Sequence, residues 1–521
     1  MREPMRAIIS VYDKTGIVEF ARGLSEMKIE IISTGGTQAV LAEAGIPVTT
    51  VSEVTGHPEI LGGRVKTLHP AIHGGILARR DDPGHMAELR ERGIQPVDLV
   101  VVNLYPFAQT ASQQGASQEE ILEMIDIGGP SMLRAAAKNY RDVAVVVDPQ
   151  DYPVVLAELR GGQGVSESTR RRLAARAFQH TAFYDAQIAD YLRPDGELFP
   201  VELAVPLKRM QELRYGENPH QAAAFYLDAS TRPLPPGVAV ANQLHGKQLS
   251  FNNSYDLDAA WAIATDFAAP AVAIVKHGNP CGLACANSVV EAYRRALSTD
   301  PKSAYGGAVG VNRVVDEATA EELVRVFFED LVAPGYTDGA LEILKGRRDL
   351  RVMAVGEDWE ARQRGIGGIP ALDFKRVLGG FLVQERDSNP EGSVSTDVVT
   401  RREPTLEELT DLLFAWRAVK HVRSNAIALA RKLALVGVGA GQMSRVDSVE
   451  LAIKKAGDRA KGSVMASDAF FPFPDGIEAA AAAGVTAVIQ PGGSVRDQEV
   501  IRAANAAQMA MIFTYRRHFR H

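Results

Sequence analysis

Cysteine is almost absent from this sequence of 521 residues, which contains only Cys281 and Cys285. Two cysteines cannot form a disulfide framework, and their C-x₃-C spacing differs from the C-x₂-C that is usual in structural zinc sites. Net positive charge is also absent, because 57 Lys and Arg residues face 64 Asp and Glu residues and give a formal charge of −7. The sequence therefore predicts a reducing, cytoplasmic compartment and argues against a general attraction to nucleic acid or to a membrane surface.

The sequence has no apolar run long enough to span a bilayer. The longest candidate, residues 259–275, is interrupted by Asp266 and Pro270 and is shorter than the roughly 20 residues that a membrane helix needs. The first residues carry charge and a proline before a short apolar stretch, which is not the pattern of a signal peptide. With 46% apolar and 23% charged residues, the chain is expected to be soluble and globular, with about three domains at roughly 150 residues each.

Two α/β domains are predicted from β-rich apolar runs that alternate with amphipathic stretches. The predicted strands of the first domain are residues 7–11, 29–33, 99–103 and 143–147. Its predicted helices are residues 17–27, 37–44, 130–138, 149–159 and 166–192. We place the domain boundary just beyond the turn-rich Arg193-Pro194-Asp195-Gly196, which gives domains 1–197 and 198–521.

The second domain is large for a single hydrophobic core. Its predicted strands are residues 271–275, 308–311 and 434–438. A stretch rich in glycine and charge, residues 356–370, is the best candidate for an internal connection. We therefore expect two α/β subdomains that divide near residues 356–375.

Three loops of the first domain combine glycine with threonine or with cationic side chains. They are residues 12–16 (YDKTG), 33–37 (STGGT) and 62–67 (GGRVKT). Glycine lets backbone N–H groups approach an anion closely, and a helix N-terminus adds a favourable dipole. One such turn is usually only a turn, but three at the carboxyl ends of strands, where open α/β sheets bind ligands, predict a phosphate site.

A further cluster begins at Asp126, in a glycine turn, and continues into a predicted helix. Arg134 and Lys138 are four residues apart on that helix and share one face, so that one can bind an anion while the other transfers a proton. The alternative is structural: a basic helix face in solvent, with Asp126 as a helix cap.

In the second domain, Lys276 and His277 end a predicted strand just before a glycine-proline turn. A rigid strand that delivers two adjacent titratable groups to a loop is typical of an active site. Zinc ligation by His277, Cys281 and Cys285 is the alternative, because Pro280-Cys281 is similar to the Pro-Cys-x-x-Cys of zinc deaminases. The upstream His-x-Glu of the deaminases is missing and the second cysteine is one residue too far, so inert thiols are the simpler interpretation.

Five motifs of the first domain resemble the inosine monophosphate (IMP) cyclohydrolase half of the bifunctional purine-biosynthesis enzymes. They are residues 14–16 (KTG), 34–37 (TGGT), 62–70 (GGRVKTLHP), 103–107 (NLYPF) and 134–139 (RAAAKN). The resemblance implies a methylglyoxal-synthase-like parallel α/β fold that closes the ring of formylated aminoimidazole carboxamide ribotide (AICAR). It implies Lys138 as the proton donor and acceptor. The implied IMP contacts are Tyr12, Asp13, Lys14, Thr34, Gly35, Gly36, Thr37, Arg64, Val65, Lys66, Thr67, Val102, Asn103, Asp126 and Ile127.

Four further motifs resemble the AICAR formyltransferase half of the same family, whose two subdomains share the cytidine-deaminase-like fold without its zinc. They are residues 213–221 (LRYGENPHQ), 424–425 (SN), 437–445 (GVGAGQMSR) and 467–473 (SDAFFPF). The implied AICAR contacts are Arg214, Tyr215, Asn253, His277, Gly306, Glu329, Asn425, Arg445, Phe470 and Arg517. The implied folate contacts are Val446, Asp475, Ser494 and Val495. Asp330 is an alternative alignment for Glu329, and Pro474 before Asp475 departs from the family and restricts the local backbone.

Ring closure needs positioning and proton transfer, because the carboxamide nitrogen attacks a formyl carbon on the same imidazole ring. No catalytic metal is required. We hypothesise that Asp126 accepts the amide proton, and that Lys138 or Lys66 stabilises the oxygen that leaves as water.

Formyl transfer from 10-formyltetrahydrofolate must activate a weak, conjugated amine and protonate the departing folate nitrogen. His277 is the candidate base, since its ordinary pKa near 6.5 leaves it mostly neutral. Lys276 would stabilise the tetrahedral oxyanion, and Asn425 would donate a hydrogen bond to the formyl oxygen.

The resemblance also implies a homodimer with formyltransferase sites at its interface, and it implies AICAR, formyl-AICAR, IMP and folate as ligands. Nucleic acid and membranes are not expected partners. Two other functions stay open: a zinc-dependent nucleoside deaminase, and a nucleotide-sensing regulatory protein, because the first fold also occurs in ligand-sensing domains. Titratable residues beside the binding loops, Lys138 and Lys276-His277, favour catalysis over sensing.

Overall fold

The computed structural model describes residues 5–113, 115–194, 196–230, 234–365, 372–387 and 394–521. The chain divides into two compact units, Met1–Lys208 with Asp228–Pro233, and Arg209–Leu227 with Leu234–His521. The sequence-based domain limits stay a prediction, since Asp195 at the first boundary and residues 366–371 at the internal one lie outside the described residues. None of the described helices is long and apolar enough to cross a membrane.

A parallel five-stranded sheet forms the centre of the first unit, in the order β3-β2-β1-β4-β5. Its strands are β1 Arg6–Ser10, β2 Glu30–Ser33, β3 Thr49–Thr50, β4 Leu99–Val102 and β5 Ala144–Val146. The four predicted strands are confirmed as β1, β2, β4 and β5. β3 was not predicted, because its two threonines form neither an apolar run nor an alternation of apolar and polar residues.

Ten α-helices surround this sheet. They are α1 Ile17–Glu26, α2 Gly35–Glu43, α3 Val51–Thr55, α4 Pro70–Leu77, α5 Pro83–Glu91, α6 Phe107–Ala111, α7 Gln118–Glu123, α8 Gly128–Lys138, α9 Tyr152–Arg160 and α10 Glu167–Leu192. The five predicted helices are confirmed as α1, α2, α8, α9 and α10, although the predicted start of α9 is a separate 3₁₀ turn, Pro149–Asp151. α1 shows why periodicity succeeds, since Ile17, Phe20 and Leu24 recur at helical spacing and are fully buried.

The strand order of the first sheet reverses between β1 and β4. The chain runs outward from β1 through β2 to β3, then returns to the other side of β1 for β4 and β5. In an open parallel sheet the crevice beyond the carboxyl ends of the strands at such a reversal is the favoured ligand site. The fold therefore brings the loops that follow β1, β2 and β4 to one edge.

The second unit contains two six-stranded mixed sheets and smaller hairpins. The elements up to the internal connection are β6 Leu207–Leu213, β7 Ala223–Asp228, β8 Asn242–His245, α11 Phe251–Thr265, β9 Ala271–Lys276, β10 Asn279–Cys285, α12 Val289–Thr299, α13 Pro301–Ala304, β11 Ala308–Val311, α14 Glu317–Leu323, β12 Asp330–Ala333, α15 Asp338–Lys345, β13 Arg351–Ala354 and α16 Trp359–Gly365.

The remaining elements are β14 Leu372–Val377, β15 Gly380–Glu385, β16 Asp397–Val398, α17 Leu406–Val419, β17 Ile427–Ala430, β18 Leu435–Gly439, α18 Arg445–Ala456, β19 Val464–Ser467, α19 Asp475–Ala482, β20 Ala487–Gln490, α20 Asp497–Ala506 and β21 Ala510–Phe513. The three predicted strands are confirmed as β9, β11 and β18. β14 and β15 pair only with each other among the described strands.

The two large sheets repeat one topology. Their strand orders are β10-β9-β11-β12-β13-β8 and β18-β17-β19-β20-β21-β16. In each sheet an antiparallel hairpin lies beside three parallel strands, and an antiparallel strand forms the far edge. We call the halves that contain these sheets repeat 1 and repeat 2.

The repeats also match in local detail. Asp256 of α11 accepts the backbone N–H of His277, and Asp411 of α17 accepts that of Lys432, each at a separation of 21 residues. Glycine stands on the second hairpin strand of both repeats, where a Cβ on Gly282 or Gly437 would come within 2.3 or 2.2 Å of a helix carbonyl oxygen. A position in one repeat can therefore be compared directly with its counterpart in the other.

Candidate active sites

The loops after β1 and β4 are joined at the point where the first sheet reverses. The side-chain oxygen of Asn103 accepts the backbone N–H of Tyr12 at 2.5 Å and of Asp13 at 2.9 Å, while its Nδ2 donates to the Asp13 carbonyl at 3.0 Å. One asparagine thus holds the first predicted ligand loop against the end of β4. The structure brings these three predicted IMP contacts together.

The side chain of Asp13 is itself held in its loop by Thr15. The hydroxyl and the backbone N–H of Thr15 both donate to Asp13 Oδ1, at 2.6 and 2.9 Å. The Thr15 hydroxyl bond, with the backbone bond, lowers the pKa of Asp13. Lys14 is half-buried and donates to the carbonyls of Val11 and Tyr12, and its burial lowers the pKa of its ammonium group.

A second group of predicted contacts meets around Glu59, which the sequence did not single out. Glu59 Oε1 accepts the Thr34 hydroxyl at 2.7 Å, and Glu59 Oε2 lies 3.3 Å from Lys66 Nζ. The hydrogen bond from Thr34 is the main cause that lowers the pKa of Glu59. A Cβ on Gly35, whose φ is +56°, would lie 3.5 Å from Lys66 Nζ. Glu59 therefore contacts Thr34 and Lys66, and Gly35 lies beside Lys66.

Asp126 precedes the first turn of α8 and accepts the Gly129 N–H at 2.8 Å. Its backbone N–H donates to the Tyr184 hydroxyl at 2.8 Å, and that hydroxyl donates to the Met124 carbonyl. Burial raises the pKa of the Asp126 carboxyl, which makes its ionised form a better proton acceptor. The bond to Gly129 is the contact of a helix cap, and the raised pKa suits a proton acceptor, so the two interpretations of Asp126 are compatible.

Lys138 lies at the opposite end of α8 from Asp126. The helix has 11 residues and is therefore about 15 Å long. Lys138 and Arg134 share one face, as predicted, and line an open groove that also includes Phe178. The groove is also lined by Leu68, His69 and Pro70, so the end of the 62–70 motif, which contains Lys66, reaches the same groove as Lys138.

The other predicted IMP contacts surround these groups. Thr37 is buried and ties its hydroxyl to the backbone of Val11, the residue that follows β1. Arg64 forms an exposed ion pair with Glu123. The remaining members are Gly36 in the first turn of α2, Val65 and buried Thr67 beside Lys66, Val102 at the end of β4, and Ile127 just before α8.

In repeat 1, Lys276 ends β9 and His277 begins the hairpin turn with a φ of +53°. Asp256 accepts the N–H groups of His277 at 3.2 Å and of Gly278 at 2.6 Å, and so stabilises a backbone conformation that is unfavourable for a residue other than glycine. Lys276 Nζ donates to the Gly306 carbonyl at 2.7 Å. The His277 side chain is exposed at the tip.

The next predicted AICAR contacts lie at the amino ends of β11 and β12. Asn253 Nδ2 donates to Glu329 Oε2 at 3.1 Å and to Asp330 Oδ2 at 2.8 Å, so both alignment alternatives meet the same amide. Asp330 is buried beside Arg351, at 3.4 Å, and desolvation raises its pKa to about 7.

Arg214 and Tyr215 follow β6 in a loop that is joined to the start of α11. Asn252 Nδ2 donates to the Glu217 carbonyl at 3.2 Å. The Arg214 guanidinium carbon lies 5.5 Å from the centre of the Tyr215 ring. This loop therefore lies next to Asn253, and the predicted contacts Arg214, Tyr215 and Asn253 belong to one neighbourhood.

Repeat 2 holds a second cluster around Arg445. Arg445 Nη2 donates to Asn425 Oδ1 at 2.7 Å, and Nη1 donates to Ser467 Oγ at 2.7 Å and to the buried carboxylate of Asp468. Asn425 Nδ2 donates to the carbonyls of Gln442 and Met443, at 2.9 and 3.2 Å. A bond from Asn425 to a formyl oxygen would therefore replace one of these two backbone bonds.

The carboxyl ends of β19, β20 and β21 carry the rest of the predicted contacts. Phe470 and Arg517 are exposed there, and the C-terminal segment is docked, because the His518 N–H donates to the Asp468 carbonyl at 2.9 Å. The predicted folate contacts are Val446 in the first turn of α18, Asp475 at the start of α19, and Ser494 and Val495 in the loop after β20.

The strand geometry argues against a zinc site at the cysteines. Cys281 and Cys285 both lie on β10, and four residues along a strand span about 13 Å, whereas two thiolates on one zinc each lie about 2.3 Å from the ion. Burial raises the pKa of each thiol to about 12. Across the described ranges, no group of three or more His, Cys, Asp or Glu residues is arranged to hold a metal.

Sequence reasoning missed four carboxylates that organise these clusters. They are Glu59, Asp256, Asp330 as a buried partner of Arg351, and Asp468 as the partner of Arg445. Asp468 had a signal, since it lies within the motif at residues 467–473, and Asp330 was named only as an alternative alignment for Glu329. The others depend on contacts between residues that are distant in sequence.

Two family models and several relatives of similar length match this chain. A family model described as AICARFT/IMPCHase bienzyme matches residues 136–455, and one described as MGS-like domain matches residues 16–131. Bifunctional purine biosynthesis protein PurH of Bacillus cereus (strain 03BB102) is 50% identical over 517 residues, which is 99% of each chain. PurH of Bacillus anthracis (strain A0248) matches with the same identity and coverage. A solved structure described as the crystal structure of ForH has 37% identity and a TM-score of 0.34, and it covers 37% of this chain and 100% of its own.

Proposed function

The chain belongs to the AICARFT/IMPCHase bienzyme family, and on that premise we propose which residues of each unit perform which step. It is a bifunctional AICAR formyltransferase and IMP cyclohydrolase that carries out the last two steps of de novo purine synthesis. The observation that carries the assignment of residues is the separation of the predicted contacts: the IMP contacts lie in the first unit and the AICAR contacts lie in the second.

The cyclohydrolase site is proposed at the carboxyl ends of β1, β2 and β4. The nucleotide would bind the backbone and side chains of the loops that Asn103 and Glu59 hold together. Asp126, with its raised pKa, would accept a proton from the carboxamide nitrogen as that nitrogen attacks the formyl carbon. Lys66 is close enough to these loops to stabilise the oxygen that leaves as water.

Lys138 requires a different explanation, because it lies about one helix length from Asp126. We keep it as the proposed proton donor and acceptor on the strength of the family resemblance alone. The variant Lys138→Met, which removes the ammonium group and keeps most of the side-chain volume, tests that role directly.

The formyltransferase step is proposed for the Lys276–His277 turn with the Asn425–Arg445 cluster. His277, exposed at the hairpin tip, would accept a proton from the amine of AICAR. Lys276 would stabilise the oxyanion with its third ammonium hydrogen, since the other two donate to the carbonyls of Tyr305 and Gly306. Arg214, Arg445 and Arg517 would bind the phosphate and the carboxamide, for which planar guanidinium groups are well suited.

The formyl donor is proposed to be 10-formyltetrahydrofolate, bound near Val446, Asp475, Ser494 and Val495. We further propose that repeats 1 and 2 are cytidine-deaminase-like subdomains without zinc. The shared topology of the two sheets and the separation of the two cysteines along β10 support this assignment.

A homodimer with the formyltransferase sites at its interface is proposed as the active form, in a cytoplasmic location. The basis is the family resemblance, together with two clusters of AICAR contacts that lie on different repeats. An isolated second domain is accordingly expected to lose formyl transfer, and sedimentation of the full chain tests the dimer.

One assay tests both steps. Purified protein is mixed with AICAR and 10-formyltetrahydrofolate without added metal, and IMP is measured. His277→Ala should lower formyl transfer by roughly 100-fold and still cyclise supplied formyl-AICAR, whereas Lys138→Met should accumulate formyl-AICAR. Unchanged single-turnover formyl transfer in His277→Ala, or full cyclisation in Lys138→Met with unchanged nucleotide binding, would remove the residue from its proposed role.

A further inference from the structure

We propose that Asp468 is a positioning residue of the formyltransferase site, which acts on AICAR through Arg445 and the Ser424–Asn425 segment. This inference rests on the proposed function of Asn425 and Arg445 as AICAR contacts. Asp468 follows β19, and its side chain is completely buried, so it cannot touch a substrate itself. Its effect must pass through the residues that it contacts.

The carboxylate of Asp468 joins three elements of the site. Oδ1 accepts the Ala426 N–H at 3.1 Å and a bond from Arg445 Nη1, while Oδ2 accepts the Ser424 hydroxyl. Ser424 Oγ in turn accepts the Arg520 N–H of the C-terminal segment at 3.1 Å. One carboxylate therefore holds the segment that leads into β17, the first residue of α18 and, through Ser424, the chain terminus.

Arg445 is oriented by this contact and still has donors to spare. Its side chain is 5% exposed, and its three hydrogen bonds, to Asn425, Ser467 and Asp468, use Nη1 and one hydrogen of Nη2. The Nε hydrogen and the second Nη2 hydrogen make no hydrogen bond to any described residue. A buried cation with two uncommitted donors needs a carboxylate that fixes its direction and offsets its charge.

Repeat 1 shows that the fold alone does not require a carboxylate here. The counterpart of Asp468 is Asn312, which follows β11 and is also fully buried. Asn312 Oδ1 accepts the Ala271 N–H at 2.8 Å, just as Asp468 Oδ1 accepts the Ala426 N–H. β11 and β19 also pair with β9 and β17 in the same register. An amide is thus sufficient for the backbone contact, and the negative charge is present only in the repeat that contains Arg445.

The test is Asp468→Asn in the full-length enzyme. An amide offers one oxygen in place of two, so it retains the Ala426 bond, loses the bond from Ser424 and leaves the charge of Arg445 without a partner. We expect kcat/KM for AICAR to fall roughly 10- to 100-fold, mainly through KM, while KM for the folate changes less than threefold. Cyclohydrolase activity on supplied formyl-AICAR, measured in the same sample, should stay unchanged.

Asp411→Asn is the matched control. It also replaces a carboxylate of repeat 2 that accepts backbone N–H groups, but these belong to Lys432 and Leu433, which are not among the predicted AICAR contacts. It should leave KM for AICAR within twofold. Asp468→Asn is also made in an Arg445→Met background, where the second change should cost less than twofold if Asp468 acts through Arg445.

The outcomes separate this inference from the proposed function. If wild-type enzyme transfers no formyl group, the proposed function fails. If wild-type enzyme is active and Asp468→Asn equals Asp411→Asn, or if its loss persists in full beside Arg445→Met, the positioning role is refuted. A fall in KM for AICAR would also refute it, because that result would mean that Asp468 only competes with the substrate for Arg445.

Discussion

The buried carboxyl of Asp330 should make the stability of the second unit depend on pH near neutrality. Asp330 begins β12, its side chain is 3% exposed, and desolvation raises its pKa to about 7 despite the nearby Arg351. Glu329 and Asp256 raise the pKa further, and the Asn253 amide lowers it. The counterpart in repeat 2 is Ala487, which pairs with β19 as Asp330 pairs with β11, so the sheet itself needs no polar group there.

The sign and size of the effect follow from proton linkage. The pKa is higher in the folded than in the unfolded chain, where an aspartate has a value near 3.9, so the folded state retains a proton that the unfolded state releases. The stabilisation is complete below about pH 4 and disappears as the pH rises through about 7. Two pH units below a pKa of about 7, at about 1.4 kcal/mol per unit, the free energy of unfolding is roughly 3 kcal/mol larger than at pH 8.

Asp330→Asn removes this titration, and tryptophan fluorescence can report it. The chain has three tryptophans, Trp261, Trp359 and Trp416, and all of them lie in the second unit. When unfolding by urea is measured at pH 5 and at pH 8, the wild-type chain should lose roughly 3 kcal/mol more stability over that interval than the variant loses. Comparing the change with pH, rather than the stability at one pH, cancels the cost of disturbing Arg351.

The control is Glu329→Gln, since Glu329 is 45% exposed and is only a lesser cause of the raised Asp330 pKa, so most of the pH-dependent difference should remain. Equal slopes for the wild-type chain and Asp330→Asn between pH 5 and pH 8 would refute the prediction, because they would show that the carboxyl does not titrate in this range. A pKa that the ion pair with Arg351 holds below its ordinary value would give that result, and the wild-type chain would then lose stability relative to the variant only below about pH 5.

Two further predictions concern residues that hold ligand loops. Asn103→Ala removes the hydrogen bonds to the loop that contains Tyr12, so cyclisation of formyl-AICAR should fall at least tenfold. Formyl transfer in the same sample should be unchanged. A loss of both activities would instead indicate general misfolding. Asp256→Asn weakens the turn that presents His277, so kcat for formyl transfer should fall about tenfold with cyclisation intact, and an equal fall in Asp411→Asn would contradict a specific effect on the His277 turn.

Much of the secondary structure could be predicted because its signals are local. Buried strands such as β4 and β11 are visible in the sequence as the short apolar runs Leu-Val-Val-Val and Ala-Val-Gly-Val. Helix α1 shows apolar residues at helical spacing. β3 and the edge strand β16 have two residues each, and tertiary pairing rather than composition defines them. The strand order, and with it the reversal beside β1, depends on contacts that no local pattern encodes.

The sites were predictable in part for a similar reason. Glycine-rich loops and the Lys276–His277 pair are contiguous in sequence, so their chemistry is visible before the fold is known. Periodicity correctly placed Arg134 and Lys138 on one helix face, but it could not show that α8 separates Lys138 from Asp126. Carboxylates such as the exposed Glu59 and the buried Asp330 look like ordinary surface residues in the sequence until their partners, which are distant in sequence, are known.

The internal duplication supplies a further argument about function, because residues that do the same structural work are chemically alike in both repeats. Asp256 and Asp411 each bind a hairpin turn, and the capping residues of α11 and α17 are Ser250 and Thr405. At the position where Asn253 of repeat 1 meets Glu329, repeat 2 has Glu408, whose carboxylate is bound by Arg402 in a closed ion pair.

The repeats therefore differ at residues that we propose as ligand contacts. At the end of the sheet where repeat 1 has Asn253 with Glu329, repeat 2 has the closed ion pair of Arg402 and Glu408. At the other end, repeat 2 has Arg445 with Asp468, where repeat 1 has the neutral Asn312. Because one topology tolerates both sets of side chains, stability does not explain the difference. Two complementary parts of the proposed formyltransferase site would account for it.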